Sequence, residues 1–261
     1  MHTTHDLVSA PYGQRGDLIA NIESPRYVLI QHRLEAGAES SLWMNPEDAR
    51  SFIVIEGEVE VMGSGDSEWT SCQRLQGWHV RPGLAYSMRV VGDAAVVIEA
   101  GDNARETERI TEMSGKGGLL PLSGYTVDKP WGYEVWLTAN LDDPDYALKI
   151  IAMNMGNRSS LQSHEVKLET NFVIKGEATV LAGVVAPEEL TATINPDDLI
   201  RTVYGIGEGW SSIRRELHRV VAEQDYIAVE VSTPELDDVI RWQDDSRRDN
   251  GRIDEEHAAT D

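Results

Sequence analysis

One pattern occurs twice in this chain, and it constrains the architecture more than any other feature. Residues 37–57 read GAESSLWMNPEDARSFIVIEG and residues 156–176 read GNRSSLQSHEVKLETNFVIKG. The two segments have the same length, share Ser-Ser-Leu at the same offset, and are closed at both ends by glycine. A register match of this kind indicates a duplicated unit. Short β-branched runs surround each copy: RYVLIQHRL, SFIVIEGEVEVM and AAVVIEA in the first half, then YEVWLTA, ALKIIAMNM, NFVIKGEATVLAG and YIAVEVS in the second. Each is of strand length and bounded by Gly, Asp or Pro, with Gly57 and Gly176 placed as hairpin turns. The expected fold is all-β, two tandem jelly-roll barrels with little helix. Residues 1–105 form the expected first barrel and 125–248 the second. Between them, 106–124 turn polar and then glycine-rich, as a linker does, which implies separable folding units. Residues 249–261 are a charged tail expected to fray.

Composition narrows the partners. The net charge is −22, with 45 acidic residues against 23 Lys and Arg, so the field of the protein repels nucleic acid and anionic membrane surfaces. No apolar run approaches the length of a membrane span, and the N-terminus lacks the basic and apolar regions of a signal peptide, which makes the cytoplasm the default expectation. The single cysteine, Cys72, excludes an internal disulfide and a Cys-based zinc cluster. Lysine is scarce: the five are Lys116, Lys129, Lys149, Lys167 and Lys175.

In the second copy the spacing is glycine, five residues, Gln162, one residue, His164, four residues, Glu169, six residues, glycine. This resembles the first cupin motif. The segment from Gly209 to His218 resembles the second, although the usual proline and glycine before the histidine are replaced by Arg214, Arg215 and Glu216. More narrowly, the half resembles the cupin domain of type II mannose-6-phosphate isomerases. The matching pieces are KPWGYE (129–134), SSLQSH (159–164), the basic residue Lys167 ahead of Glu169, HRV (218–220), and DDVIRWQD (237–244) with Arg248. No nucleotidyltransferase domain or glycine-rich phosphate loop accompanies it, so guanylyl transfer is excluded.

The resemblance implies Gln162, His164, Glu169 and His218 as ligands of one divalent metal. Strand geometry is consistent with this. Gln162 and His164, two apart, point to one side, and a turn after His164 returns Lys167 and Glu169 on one face. An amide oxygen, two imidazoles and a carboxylate suit zinc first, with Mn, Fe, Co or Ni also possible. The alternative is a polar core held by hydrogen bonds alone. Lys167 is the candidate catalytic residue, for proton transfer or phosphate contact. Trp131, Arg214, Arg241 and Arg248 are candidate substrate contacts, with Arg215 a further cation available to an anion. In the first copy Trp43, Asn45 and Arg50 stand at the ligand positions and Tyr86 at the expected histidine, so that half should be metal-free. It serves either as support and a possible homodimer surface, or as an anion pocket built on Arg50 between Trp43 and Tyr86. His79 nearby is weak evidence for a ligand.

The function these features imply is aldose–ketose isomerisation of a sugar or sugar phosphate. Cupin barrels also host iron-dependent oxygenases and metal-dependent lyases or epimerases acting on small acidic metabolites, as well as non-catalytic sugar-binding bicupins.

Overall fold

The computed structural model describes residues 7–19, 22, 25–40, 42–102, 108–112, 117–189 and 192–253. Residues 106–107 and 113–116 of the expected linker, and 254–261 at the end of the tail, lie outside the described residues. Among the described residues the protein is built from strands, with one short 3₁₀ turn at Pro196–Asp198. None of its helices is long and apolar enough to cross a membrane.

The first half is a ten-stranded antiparallel sheet rolled around an apolar core. Two long strands, Arg50–Gly63 and Tyr86–Asp102, form its spine and pair along most of their length. The second half divides into two six-stranded sheets. Its counterparts of the long strands are each broken in two, Glu169–Lys175 then Glu177–Val185, and Glu216–Val221 then Tyr226–Ser232. The break falls at the repeated glycine. Gly57 and Gly176 have φ of +75° and +73°, and a Cβ would sit 2.3 Å from the Ala94 carbonyl oxygen or 2.1 Å from that of Asp225. Only glycine combines that left-handed backbone with so close an approach of the neighbouring strand.

The duplication extends to the pairing. Trp43 lies opposite Tyr86 as Gln162 lies opposite His218. Arg50 is opposite Gly101 and Phe52 opposite Glu99, as Glu169 is opposite Ser232 and Asn171 opposite Glu230.

The segment read as a linker contributes to the first barrel instead. Glu108–Ile110 pairs with Leu42–Met44, and Leu120–Pro121 pairs with Trp78 and His79. Likewise Gly251–Ile253, inside the expected tail, pairs with Val239–Arg241. Polar, glycine-rich sequence conceals such short edge strands because backbone hydrogen bonds, not side-chain pattern, hold them.

The barrels share one core. Tyr27, Leu29, Ile53, Ile55 and Ile98 from the first pack with Tyr146, Leu148, Phe172, Val229 and Val231 from the second. Buried polar contacts fasten this interface. Tyr27 Oη is 2.9 Å from Thr170 Oγ1. Tyr146 donates to Ser51 Oγ at 2.7 Å, Ser51 meets His79 Nδ1 at 2.9 Å, and His79 Nε2 meets Asp143 at 3.1 Å. The Ser51–His79–Asp143 order resembles a nucleophilic triad, but Ser51 and His79 are fully buried, so it is an interface clasp. His79 therefore belongs to the joint between barrels and not to a ligand site.

Candidate metal centre

Each expected ligand is delivered by a different part of the second barrel. Gln162 is on the short strand Leu161–Ser163, His164 begins the following turn, Glu169 opens the next strand, and His218 comes from Glu216–Val221. His164, Glu169 and His218 bring ligand atoms within 4.8 Å of one another, all buried. Gln162 faces the same point, its amide nitrogen 3.3 Å from His218 Nε2. Rotating that amide presents its oxygen in place of its nitrogen.

The outer contacts of the two imidazoles decide how they can serve. His164 Nδ1 donates to the backbone carbonyl of Asp238, and His218 Nδ1 donates to that of Glu216 at 3.1 Å. Both rings are thereby oriented with Nε2 inward, the arrangement that presents imidazole to a metal. His164 Nε2 is buried, has no hydrogen-bond partner, and lies 3.5 Å from Glu169 Oε2; His218 Nε2 is 3.2 Å from Glu169 Oε1. Inward nitrogens converging on a carboxylate must be filled by protons or by a cation. Burial lowers the His164 pKa against the pull of Glu169. Burial also opposes charge on His218, but the hydrogen bond and charge of Glu169 outweigh it and raise that ring. Glu169 is held well below the usual carboxylate range, because the charges of Lys167 and His164 overcome the cost of burial. The donor set therefore fits a divalent ion of the Zn, Mn, Fe, Co or Ni type.

Asp238 organises the turn that makes this possible. Its carboxylate accepts the backbone N–H groups of Glu165, Val166 and Lys167 at 3.1, 2.6 and 2.8 Å. Across the barrel Arg215 N donates to the His164 carbonyl at 2.6 Å, with Arg215 in the left-handed region at φ +60°. Gly83 occupies the equivalent place three residues before Tyr86, at φ +73°. Arg215 thus takes the place of the missing motif glycine at a steric cost.

Lys167 is buried and lies 2.9 Å from Glu169 Oε2 and 3.5 Å from Glu230 Oε1. It belongs to a larger charge network that sequence reasoning missed. Lys149 sits between Glu134 and Glu230, at 3.0 and 3.2 Å, and Lys129 is 3.4 Å from Glu134. Burial works against the Lys149 and Lys167 ammonium groups, yet the surrounding carboxylates keep both above their ordinary range. Glu230 is raised, by burial first and by the charge of Glu169 second. The signal that could have found these residues is a lone charge inside an otherwise apolar strand, as in ALKIIAM and YIAVEVS.

The ligands and Lys167 line a cavity of about 60 Å³ together with Trp131, Trp136, Trp210 and Glu230. Trp131 is 6% exposed and forms part of the wall, and Arg248 also reaches the lining. Arg248 is held by Asp244 and Ser160 at 2.7 and 2.8 Å. Two expected substrate contacts are elsewhere. Arg241 is buried behind the site, donating to Ser160 Oγ and the Asp249 carbonyl, and Arg214 is exposed and donates to the Val166 carbonyl. Both are drawn away by acceptors that sequence does not reveal.

The first barrel replaces this centre with an internal salt bridge. Arg50 is 2% exposed, its Nε is 3.1 Å from Glu99 Oε1, and Glu99 Oε2 is 2.7 Å from His32 Nε2. The guanidinium also donates to the Ala49 and Asp102 carbonyls. The anion pocket expected on Arg50 is thus closed by the protein's own carboxylate.

No family model matches the chain, and no curated protein matches it in sequence. Solved structures do. A mutant of the Bacillus subtilis oxalate decarboxylase aligns at a TM-score of 0.68 and 12% identity, over 91% of this chain and 77% of that one. A Lactobacillus farciminis oxalate decarboxylase in complex with formate aligns at 0.67 and 12% identity, over 91% and 86%. Another structure of the Bacillus enzyme concerns its Mn(II) centres. At such identity the likeness carries the fold alone, and it establishes that fold as two tandem cupin barrels.

Proposed function

We propose that the second barrel is the catalytic half of a divalent-metal lyase acting on a small dianionic carboxylate. The observation that carries this reading is charge closure. Lys129, Lys149 and Lys167 stand against Glu134, Glu169 and Glu230 in one connected network, which is formally neutral. Arg248 at the rim pairs with Asp244, which Arg241 also approaches at 3.9 Å. An ion bound at Gln162, His164, Glu169 and His218 leaves at least two positive charges without a counterpart. A buried excess of that size calls for an anionic ligand. Size agrees. A water needs roughly 10–15 Å³ of such space, so a cavity of about 60 Å³ suits a few heavy atoms.

A divalent ion in this site supplies Lewis-acid polarisation of substrate oxygens. The protein's own groups do the rest. The Lys167 ammonium donates to a substrate oxygen and offsets charge that develops there. Glu230, on the cavity wall and biased toward its protonated form, delivers a proton to the carbon left when a carboxylate departs as carbon dioxide. Trp131, Trp136 and Trp210 keep bulk water out of the reaction.

Isomerisation of a sugar phosphate is the second reading, favoured by the KPWG and Gln-x-His-x-x-Lys-x-Glu pattern around Trp131 and Lys167. It has less support from the cavity, where the lining Arg248 is held by Asp244 and Ser160. One experiment separates the two. The metal-replete full chain is incubated in deuterated water with oxalate, oxaloacetate or mannose 6-phosphate, while carbon dioxide release and deuterium incorporation are followed. Carbon dioxide from a diacid above the free-metal rate supports the lyase. Exchange at carbon 2 of the sugar phosphate alone replaces it with the isomerase. Zinc is tested in parallel with manganese, the metal of the Bacillus enzyme's Mn(II) centres.

A further inference from the structure

The first barrel has a cavity of its own, larger than the one around the metal ligands, at about 290 Å³. It is lined by Ala10, Pro11, Tyr12, Arg15, His32, Trp43 and Glu99, with Val8 and Ser9 at the rim. By the register of the duplication, Trp43 is the counterpart of Gln162 and Glu99 that of Glu230. The space opens onto the barrel interior where the sibling would hold its ion.

We infer that this cavity is a second ligand site, and that its ligand is a small hydroxylated carboxylate of the sugar-acid class. The floor is a chain of buried groups. Tyr12 Oη lies 2.8 Å from His32 Nδ1, His32 Nε2 lies 2.7 Å from Glu99 Oε2, and Glu99 Oε1 meets Arg50 at 3.1 Å. A carboxylate can only accept, so His32 donates from Nε2, and in the neutral ring Nδ1 accepts from the Tyr12 hydroxyl. This commits the Tyr12 proton inward. Tyr12 lines the cavity, and the remaining lone pairs of its oxygen are the acceptor offered to a ligand hydroxyl. Burial raises the Tyr12 phenol to about 12, so the group stays a neutral phenol.

Charge selects the other end of the ligand. Arg50 is already committed to Glu99 and has Asp48 3.9 Å away, which leaves Arg15 as the cation at the cavity. Arg15 lies at the exposed rim with no ion-pair partner among the described residues. In a protein of net charge −22, a locally positive rim favours a carboxylate bound by the guanidinium fork. Trp43 supplies the wall. Its ring is fixed edge-on between Tyr12 at 5.1 Å and Tyr86 at 6.0 Å, and it offers a flat apolar face to the C–H side of a sugar ring. Arg50, the cation that the sequence pointed to, plays no direct part.

The test is calorimetric titration of the full, metal-replete chain with sodium D-glucuronate and, separately, D-glucose. Glucuronate should bind, and glucose at least tenfold more weakly. Arg15→Gln should weaken glucuronate binding by about tenfold, the loss expected for one charge-assisted contact. Tyr12→Phe should weaken it several-fold while circular dichroism stays unchanged. His164→Ala, which disables the other barrel's centre, should leave the affinity as it was. The inference is overturned if glucuronate does not bind, if glucose binds equally well, if Arg15→Gln binds like the wild type, or if His164→Ala abolishes binding.

Discussion

Replacing Lys149 with methionine tests the charge network directly. The lysine is 7% exposed, and its ammonium lies 3.0 Å from Glu134 and 3.2 Å from Glu230, carboxylates that are themselves 5% and 4% exposed. Methionine fills the same space without charge and leaves two buried carboxylates short of a partner. Removing one member of a buried ion pair costs about 3–5 kcal/mol. Here Lys129 still neighbours Glu134 and Lys167 still neighbours Glu230, so the lower end, about 3 kcal/mol, is expected at pH 7.5. The sign of the pH dependence follows from Glu134. Burial would raise this carboxyl, but Lys149 and Lys129 hold it below its ordinary value. Its stabilising contribution is present above the unfolded pKa and disappears as pH falls through the lowered folded value. In Lys149→Met the folded value rises, so the two carboxyls protonate earlier and the penalty shrinks toward pH 5. Urea unfolding of wild type and variant, metal-free, at both pH values measures this. Adding Glu230→Gln should recover about 1 kcal/mol, as expected for a directly coupled pair. A loss below about 1 kcal/mol at pH 7.5, or one that is the same at pH 5, would refute the argument.

The remaining predictions concern the centre and the joint between barrels. Elemental analysis should find one divalent ion per chain, lost in His164→Ala; two equivalents would contradict the closed Arg50–Glu99 interior of the first barrel. Lys167→Ala should keep the ion and lower kcat/KM on the productive substrate at least about tenfold; unchanged turnover in the metal-replete variant removes Lys167 from the site. Because the barrels share a core, urea unfolding should give a single transition by tryptophan fluorescence and circular dichroism, with Tyr146→Phe lowering stability by about 1 kcal/mol; two separated transitions would show independent barrels.

Much of the fold was legible because it is written as repetition. Gly57 and Gly176 carry the same backbone requirement, and the aligned residues between the end glycines occupy equivalent pairing positions. The clustering of the candidate ligands was legible for a related reason, since Gln162, His164 and Glu169 lie within eight residues of one strand–turn–strand and follow its alternation. The rest depends on chain crossings. Glu134, Lys149 and Glu230 lie on three separate strands, and only the pairing of Tyr133–Trp136 with Lys149–Ala152, and of that strand with Ile227–Glu230, brings them together. Asp238 was visible only as part of a matching string, while its role, three backbone hydrogen bonds and an imidazole, is a tertiary fact. Arg214 and Arg241 misled for the opposite reason. A cation is easily seen in sequence, and the backbone carbonyl that satisfies it is not.

The two barrels show how one scaffold reaches opposite electrostatic solutions at the same point. Position 50 of the first and 169 of the second begin equivalent strands, and Glu99 and Glu230 face them from equivalent partners. With arginine at the first position, the guanidinium neutralises Glu99 within the protein, and His32 and Tyr12 extend from that carboxylate by hydrogen bonds. With glutamate there, two carboxylates share one interior, which is tolerable only with added cations. Two of the chain's five lysines, Lys149 and Lys167, face Glu230 and Glu169, and a third, Lys129, joins the network through Glu134. They match the carboxylates yet leave the inward nitrogens of His164 and His218 facing Glu169. The scarcity of lysine elsewhere in so acidic a protein makes this concentration informative. The lysines balance the interior charge, and the inward nitrogens of His164 and His218 converge on Glu169 as a donor set for an ion.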